Sequence, residues 1–361
     1  MPRARLVPLD AFRGLTIAGM VLVNNPGTWD AIHPPLRHAA WHGLTPTDLV
    51  FPFFLFIVGM AIPFSLDNRS PLAAVIRVLR RAVVIFGLGL VLNGVPAFHW
   101  STMRIPGVLQ RIAVCYVVVA LLYLVTGWRG QSLVAVALLL GYWGVMTLVA
   151  APGYVAGDLT PEGNLAAWID RAVFGPEHLW RVSRVYDPEG LLSTVPAVVT
   201  VLFGVLAGHW VLSHRPPRTI TLGLLLAGVF GVALGAEWGN WFPVNKALWT
   251  SSYVVLTGGL ALLVFAACYW TIEVCGWRRW ATPFVVFGAN ALAVFFLSTL
   301  AAQAMALVRV GGVSVKQLVF QQAFAPWASP VNASLAYALA YVVVWWCVMA
   351  ALYAGGIRLR A

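Results

Sequence analysis

Charge is what this chain has least of. Only 10% of its 361 residues are Asp, Glu, Lys or Arg, against roughly 25% in ordinary soluble domains, so a water-facing surface cannot be built from it. Acidic residues are the scarcer sign: 12 Asp and Glu stand against 23 Lys and Arg, a formal charge of +11. Cysteine is also sparse. Cys115, Cys268, Cys275 and Cys347 lie in or beside apolar stretches without metal-ligand spacing or a paired framework, which excludes a secreted disulfide scaffold and leaves them as packing residues. No H-E-x-x-H pattern occurs. His38 and His42 are spaced i, i+4, but the stretch follows Pro34-Pro35 and contains Gly43, so a regular helix presenting both rings is not expected, and no metal is expected with them. No repeat relates the first half of the chain to the second.

Apolar and interfacial residues fill the space that charge leaves. The chain is 61% hydrophobic and carries 17 Trp and 22 Pro. Indole rings favour the headgroup level of a bilayer, and Pro is tolerated in membrane helices whose freed backbone groups find partners in neighbouring helices. Stretches long enough to cross a core of roughly 30 Å occur near 6–25, 48–66, 80–97, 107–127, 131–151, 190–212, 218–236, 249–272, 281–305 and 333–354. The expected fold is therefore all-α, a polytopic integral membrane helical bundle of about ten transmembrane helices forming one domain over 1–361. In the first stretch the ionisable pair Asp10 and Arg13 stands i, i+3 on one face, which must look into the bundle or sit at the interface. Arg3 and Arg5 precede an apolar run as in a signal peptide, but Asp10 and Arg13 interrupt it and Asn24-Asn25-Pro26 follows where a small-residue cleavage site would stand, so the segment is expected to be retained.

The arginines sit in the short connections, where they read as topology signals rather than as a nucleic-acid surface. With the N-terminus inside, the inner segments hold Arg3, Arg5, Arg69, Arg77, Arg80, Arg81, Arg129, Arg215, Arg218, Arg278, Arg279, Arg358 and Arg360, opposed by Asp67 and Glu273 alone. The outer segments carry both signs in balance. An even number of crossings with both ends cytoplasmic satisfies this asymmetry. The longest polar stretch, 152–189, then lies outside with a short helix expected near 163–173, and 306–332 is a second outer excursion.

The chemistry-bearing residues gather on the outer side. The connection after the first helix holds Asn24, Asn25, His33, His38, Trp41, His42, Thr45 and Asp48. A histidine beside a helix start can act as a general base, its ordinary pKa being about 6.5, or can simply bond to backbone or water. Asp48 opens the second helix, where a carboxylate caps unbonded N–H groups. Tyr186, Asp187 and Glu189 enter the sixth helix in the run YDPEGLLSTVP, and Asn245 and Lys246 precede the eighth between tryptophans; capping and interfacial anchoring are the plain readings of both. Gln110, Arg111, His209 and Asn290 fall within apolar stretches and are expected to face a cavity or one another, together lining a polar shaft.

Five runs in order, LDAFRGLTIAGMVLVNN, RHAAWHGLTPTDLVFPFFLFIVG, IPGVLQRIAV, YDPEGLLSTVPAVVTVLFGVLAG and FPVNKALWTSSYV, resemble the transmembrane domain of the heparan-alpha-glucosaminide N-acetyltransferase family, including its bacterial members. The likeness covers nearly the whole chain. It implies transfer of acetyl from cytosolic acetyl-CoA to the amine of a glucosamine-type sugar across the membrane, with lipid, acetyl-CoA and the amino sugar as partners, a homodimeric assembly and a bacterial inner-membrane location. His38 matches the family's active-site histidine and Asn24 the asparagine that assists it, with Asp48 orienting the imidazole. Donor binding is expected from Arg80, Arg81, Arg278, Arg279 and Arg13, with Gln110, Arg111 and Asn290 along the shaft. Acceptor binding is expected from Trp41, Tyr186, Asp187, Glu189, Asn245 and Lys246. The competing class is an amino-sugar permease, which requires related halves with broken helices in corresponding positions.

Overall fold

The computed structural model describes residues 6–66 and 70–357; the topology-bearing residues Arg3, Arg5, Asp67, Arg69, Arg358 and Arg360 lie outside these. Thirteen α-helices appear among the described residues: α1 (Val7–Asn24), α2 (Val50–Leu66), α3 (Pro71–Gly94), α4 (Val108–Val125), α5 (Trp128–Leu148), α6 (Leu165–Phe174), α7 (Thr194–Val211), α8 (Pro217–Trp238), α9 (Ser251–Tyr269), α10 (Thr282–Ala289), α11 (Ala291–Leu307), α12 (Val315–Ala323) and α13 (Pro330–Ala354). The two short strands β1 (Arg309–Val310) and β2 (Val313–Ser314) pair antiparallel, Arg309 opposite Ser314 and Val310 opposite Val313. Among the described residues eight helices are long and apolar enough to cross a membrane, nine if the bent pair α10–α11 is one span. This is a polytopic helical membrane protein.

The expected spans map onto α1, α2, α3, α4, α5, α7, α8, α9, α10–α11 and α13. Two differ from expectation. Helix α3 begins at Pro71 rather than near 80, and its early turns carry Arg77, Arg80 and Arg81, more charge than a wholly apolar span admits. The stretch 281–305, read as one helix, is two, bent by 68° at Asn290. The backbone of Asn290 leaves helical geometry (φ −127°, ψ 35°), and its side-chain amide donates to the carbonyl of Ile357 at 3.2 Å. The helix expected near 163–173 is α6, whose first turn is capped by Asn164 Oδ1 accepting from the N–H of Ala167 at 2.8 Å.

The chain divides into two compact units, with the boundary inside α2 after Phe54. The larger comprises Ala40–Gly43 and Leu55–Ala267. Within it α2 and α7 cross so closely that a Cβ on Gly59 would stand 1.9 Å from the Val201 carbonyl oxygen, and one on Gly204 2.0 Å from that of Phe56. Lipid tails give apolar side chains no reason to leave them, so membrane helices associate through such small-residue contacts and the dispersion they permit. A second core, of Tyr142, Met146, Ala166, Phe242 and Leu248, lies under the polar stretch that holds α6. Among the described residues the smaller unit comprises 6–39, Leu44–Phe54 and 268–357. There α1 lies against α10, where Ile17, Met20 and Val21 pack with Val286, Phe287, Val294 and Met349. The loop after α1 is tied to the start of α13, Gly27 N–H donating to the Ser334 carbonyl at 3.2 Å and His33 Nε2 lying 3.0 Å from Asn332 Oδ1.

Candidate active site

In the smaller unit the loop between α1 and α2 folds back on the turn Pro46–Leu49 that precedes α2. Asp48, 1% exposed, holds this loop. Its Oδ2 accepts the backbone N–H groups of Ala39 and Thr45, both at 3.1 Å, and lies 3.0 Å from the Thr45 hydroxyl in a reciprocal cap. Its Oδ1 lies 2.6 Å from Nδ1 of His38. A carboxylate oxygen accepts, so Nδ1 of His38 donates to it, and in the neutral ring Nε2 then carries the lone pair. The His38 side chain is 48% exposed while its partner is sealed. Capping and imidazole orientation, weighed as alternatives from the sequence, are performed by the two oxygens of one carboxylate. Asn24 is the exposed last residue of α1; its neighbour Asn25 is buried and donates to the Val21 carbonyl at 2.8 Å.

The other smaller-unit candidates are spread out. Arg13 pairs with Asp10 at 3.0 Å and reaches the Gly288 carbonyl of α10 at 3.5 Å, so the i, i+3 pair looks inward. Asn290 is fully buried at the break. Arg278 and Arg279 are exposed in the turn after α9, Arg278 lying 3.6 Å from Glu273.

In the larger unit Asp187 and Glu189 are turned toward a cation rather than outward. Arg104, in the loop before α4, donates from Nε to Asp187 at 2.8 Å and also pairs with Glu189. Asp187 is 2% exposed, and the two carboxylates raise the Arg104 pKa despite the burial that opposes it. Paired in this way, the carboxyl groups hold the 187–190 turn to the chain before α4. Gln110 and Arg111 are buried at the start of α4. Arg111 donates to the Gly190 carbonyl at 3.1 Å and to Ser193, and its guanidinium lies over the Trp249 ring at 5.1 Å. Asp170 accepts the Leu191 N–H at 2.7 Å, and burial raises its pKa to about 7, Arg111 and that N–H acting against the shift. Arg80 is exposed on α3, and Arg81 lies over the Tyr116 ring at 5.2 Å.

Trp41, Tyr186 and Asn245 do converge within this unit. Trp41 packs edge-on to Tyr186, with centroids 4.9 Å apart, and its indole N–H donates to the Leu159 carbonyl at 2.8 Å. Asn245, fully buried, lies 3.3 Å from Nδ1 of His42, while Lys246 is half-buried in the turn beside it. Sequence reasoning did not single out Arg104, Asp170, Ser193 or Trp180. The run IPGVLQRIAV, read for Gln110 and Arg111, lies directly after Arg104 and was the available pointer to it.

These features define a helical membrane protein with an imidazole–carboxylate pair on the loop between its first two helices. Comparison with known proteins agrees with that class. Residues 5–158 match a family described as "Domain of unknown function (DUF5009)". The chain is 31% identical over 353 aligned residues to the Homo sapiens protein "Heparan-alpha-glucosaminide N-acetyltransferase", covering 81% of this chain and 52% of the human one. It is 28% identical over 352 residues to the Mus musculus protein of that name, covering 81% of this chain and 53% of the other. The resemblance seen in the five runs thus holds over most of the sequence, and the chain is a relative of these proteins. It spans about half the length of the curated relatives it matches.

Proposed function

We propose that residues 1–361 form one transmembrane acyltransferase domain that moves acetyl from acetyl-CoA to the amine of a glucosamine-type sugar. The observation that carries this is the His38–Asp48 pair, taken with the relatives' printed activity. The amine nitrogen attacks the thioester carbonyl carbon, the C–S bond breaks, and the electron pair leaves with the CoA sulfur. His38 Nε2 takes the proton released by the attacking nitrogen and returns it to the leaving thiolate. Asp48 stabilises the imidazolium that forms between the two transfers, and Asn24 donates to the oxyanion that develops on the carbonyl oxygen. An alternative course forms acetyl-imidazole on His38 before the sugar attacks.

In this reading the N- and C-termini are cytoplasmic, the membrane is a bacterial inner membrane, and the chain acts as a homodimer. The candidates for the donor's phosphates are Arg80 and Arg81 in the larger unit and Arg278 and Arg279 in the smaller, since a planar guanidinium gives two parallel hydrogen bonds to such a group. The candidates to meet its flexible arm are Gln110 and Arg111 in the larger unit and Arg13 and Asn290 in the smaller. The acceptor candidates are Trp41, Tyr186, Asp187, Glu189, Asn245 and Lys246, all in the larger unit. The permease alternative calls for paired broken helices, and among the described residues one bent pair, α10–α11, appears.

The test is incubation of the purified full chain with labelled acetyl-CoA and a panel of amino sugars. Label on a glucosamine-type product is expected and its absence across the panel defeats the reading. Uptake of labelled sugar into sealed vesicles without acetyl-CoA would instead favour the permease.

A further inference from the structure

The geometry points to a carbohydrate subsite in the larger unit, built from the rings of Trp41, Trp180 and Tyr186 and the Nε2–H of His42, that takes the pyranose ring of the acceptor. It deepens the acetyl-transfer reading and rests on it for the class of sugar. Trp180 and His42 are new to the acceptor side, and Asn245 moves from touching sugar to positioning His42.

Tyr186 stands between the two indoles, Trp41 at 4.9 Å and 71° and Trp180 at 6.0 Å and 57° between ring centroids and planes. In an edge-to-face pair one ring offers its edge, and its faces stay available to a further partner. All three rings are half-buried, neither sealed in a core nor fully in water. Tryptophans of an interfacial belt meet headgroups one by one. These are turned on one another, and the bond from Trp41 to the Leu159 carbonyl fixes the orientation of its ring. A pyranose has an apolar C–H face and a rim of hydroxyls, so an aromatic shelf with a fixed donor beside it matches both.

His42 supplies that donor. Asn245 Oδ1 accepts the Leu248 N–H at 2.9 Å, which assigns the amide's oxygen and leaves its Nδ2 facing His42 Nδ1 at 3.3 Å. An amide nitrogen donates only, so Nδ1 accepts and the ring hydrogen sits on Nε2. Burial lowers the His42 pKa, which favours this neutral form. The segment is held in place by Gly43, whose N–H donates to the Val244 carbonyl at 2.7 Å, and His42 itself is exposed beside Trp41, with ring centroids 6.1 Å apart.

The experiment uses the full chain in nanodiscs and measures equilibrium binding of labelled glucosamine without acetyl-CoA, then initial rates with both substrates. Trp180→Ala and Trp41→Ala are expected to weaken glucosamine binding and raise its KM by about tenfold each, leaving KM for acetyl-CoA within about twofold. His42→Ala gives a rise of about fivefold, and His42→Gln, whose amide nitrogen can stand near Nε2, recovers part of it. Thermal melting of each variant separates misfolding from lost recognition. Wild-type binding that none of the three alanine variants changes, or changes in acetyl-CoA KM equal to those in sugar KM, overturns the subsite. Absence of glucosamine binding by the wild type also overturns it. Sugar binding that depends on Trp180 without acetyl transfer keeps the subsite and removes the acetyltransferase.

Discussion

His38 and His42 are one helical turn apart in sequence, yet their rings are committed in opposite senses. His38 meets a carboxylate oxygen at Nδ1 and donates there, leaving Nε2 as the acceptor of the neutral ring. His42 meets an amide N–H group at the same atom and must accept, leaving an acidic Nε2–H. What differs is only the group behind each ring, and that group is fixed by backbone amides in both cases: Ala39 and Thr45 for Asp48, Leu248 for Asn245. A histidine's role is thus set one bond further back than the histidine itself.

The comparison is broken most severely at His38. His38→Ala is expected to lower acetyl transfer by about 10³-fold or more, with acetyl-CoA binding retained; purified variant that turns over normally removes the base from the mechanism. Next in size is the larger unit's own carboxylate anchor. Arg104→Ala strands Asp187 and Glu189 without that cation and should destabilise the chain by about 3–5 kcal/mol, seen as a lower melting temperature; the Glu189 N–H, which donates to Asp187 Oδ1 at 2.9 Å, stays as amide support. Asp48→Asn keeps the shape but presents an amide that can turn its N–H toward His38, reversing the tautomer. A fall of about 10²-fold in kcat is expected, with little change in either KM.

Asp170 extends the contrast to a carboxyl group with poor support. Its folded pKa of about 7 lies above the ordinary carboxylate value, so between about pH 4 and 7 the folded chain holds a proton that the unfolded chain has lost. Stability should therefore fall as pH rises through that window and level off above it. Asp170→Asn should flatten the slope and melt higher than wild type at pH 8, by about 2 kcal/mol of stability. Smallest is Asn245→Asp, which gives His42 the kind of partner His38 has. The ring hydrogen then moves to Nδ1, and KM for the sugar should rise about fivefold with kcat unchanged. A rise in kcat instead would mean that His42 had become a second base.

The spans were legible because an apolar run of about 20 residues has few alternatives in a bilayer. The break at Asn290 was not, since one asparagine in such a run reads equally as a polar contact between unbroken helices; the Ile357 carbonyl that its amide meets is distant in sequence. His38 and Asp48 were legible as residues of interest because both stand in one short loop and both match the family runs. Their pairing depends on how that loop closes. The ion pairing of Asp187 and Glu189 was hidden for the converse reason: the partner, Arg104, lies 83 residues earlier than Asp187, and no local pattern announces it. The partner that sets the His42 tautomer, Asn245, stands 203 residues later in the chain, so no local pattern announces it.

The hinge between α10 and α11 ties the interior of the chain to its far end. Because the Ile357 carbonyl is one of the groups that answers the Asn290 amide, trimming the chain ahead of that residue would be felt at a kink some 67 positions upstream. Affinity handles or fluorescent fusions joined flush after Ala354 would disturb the same contact, so a reporter is better carried at the opposite terminus.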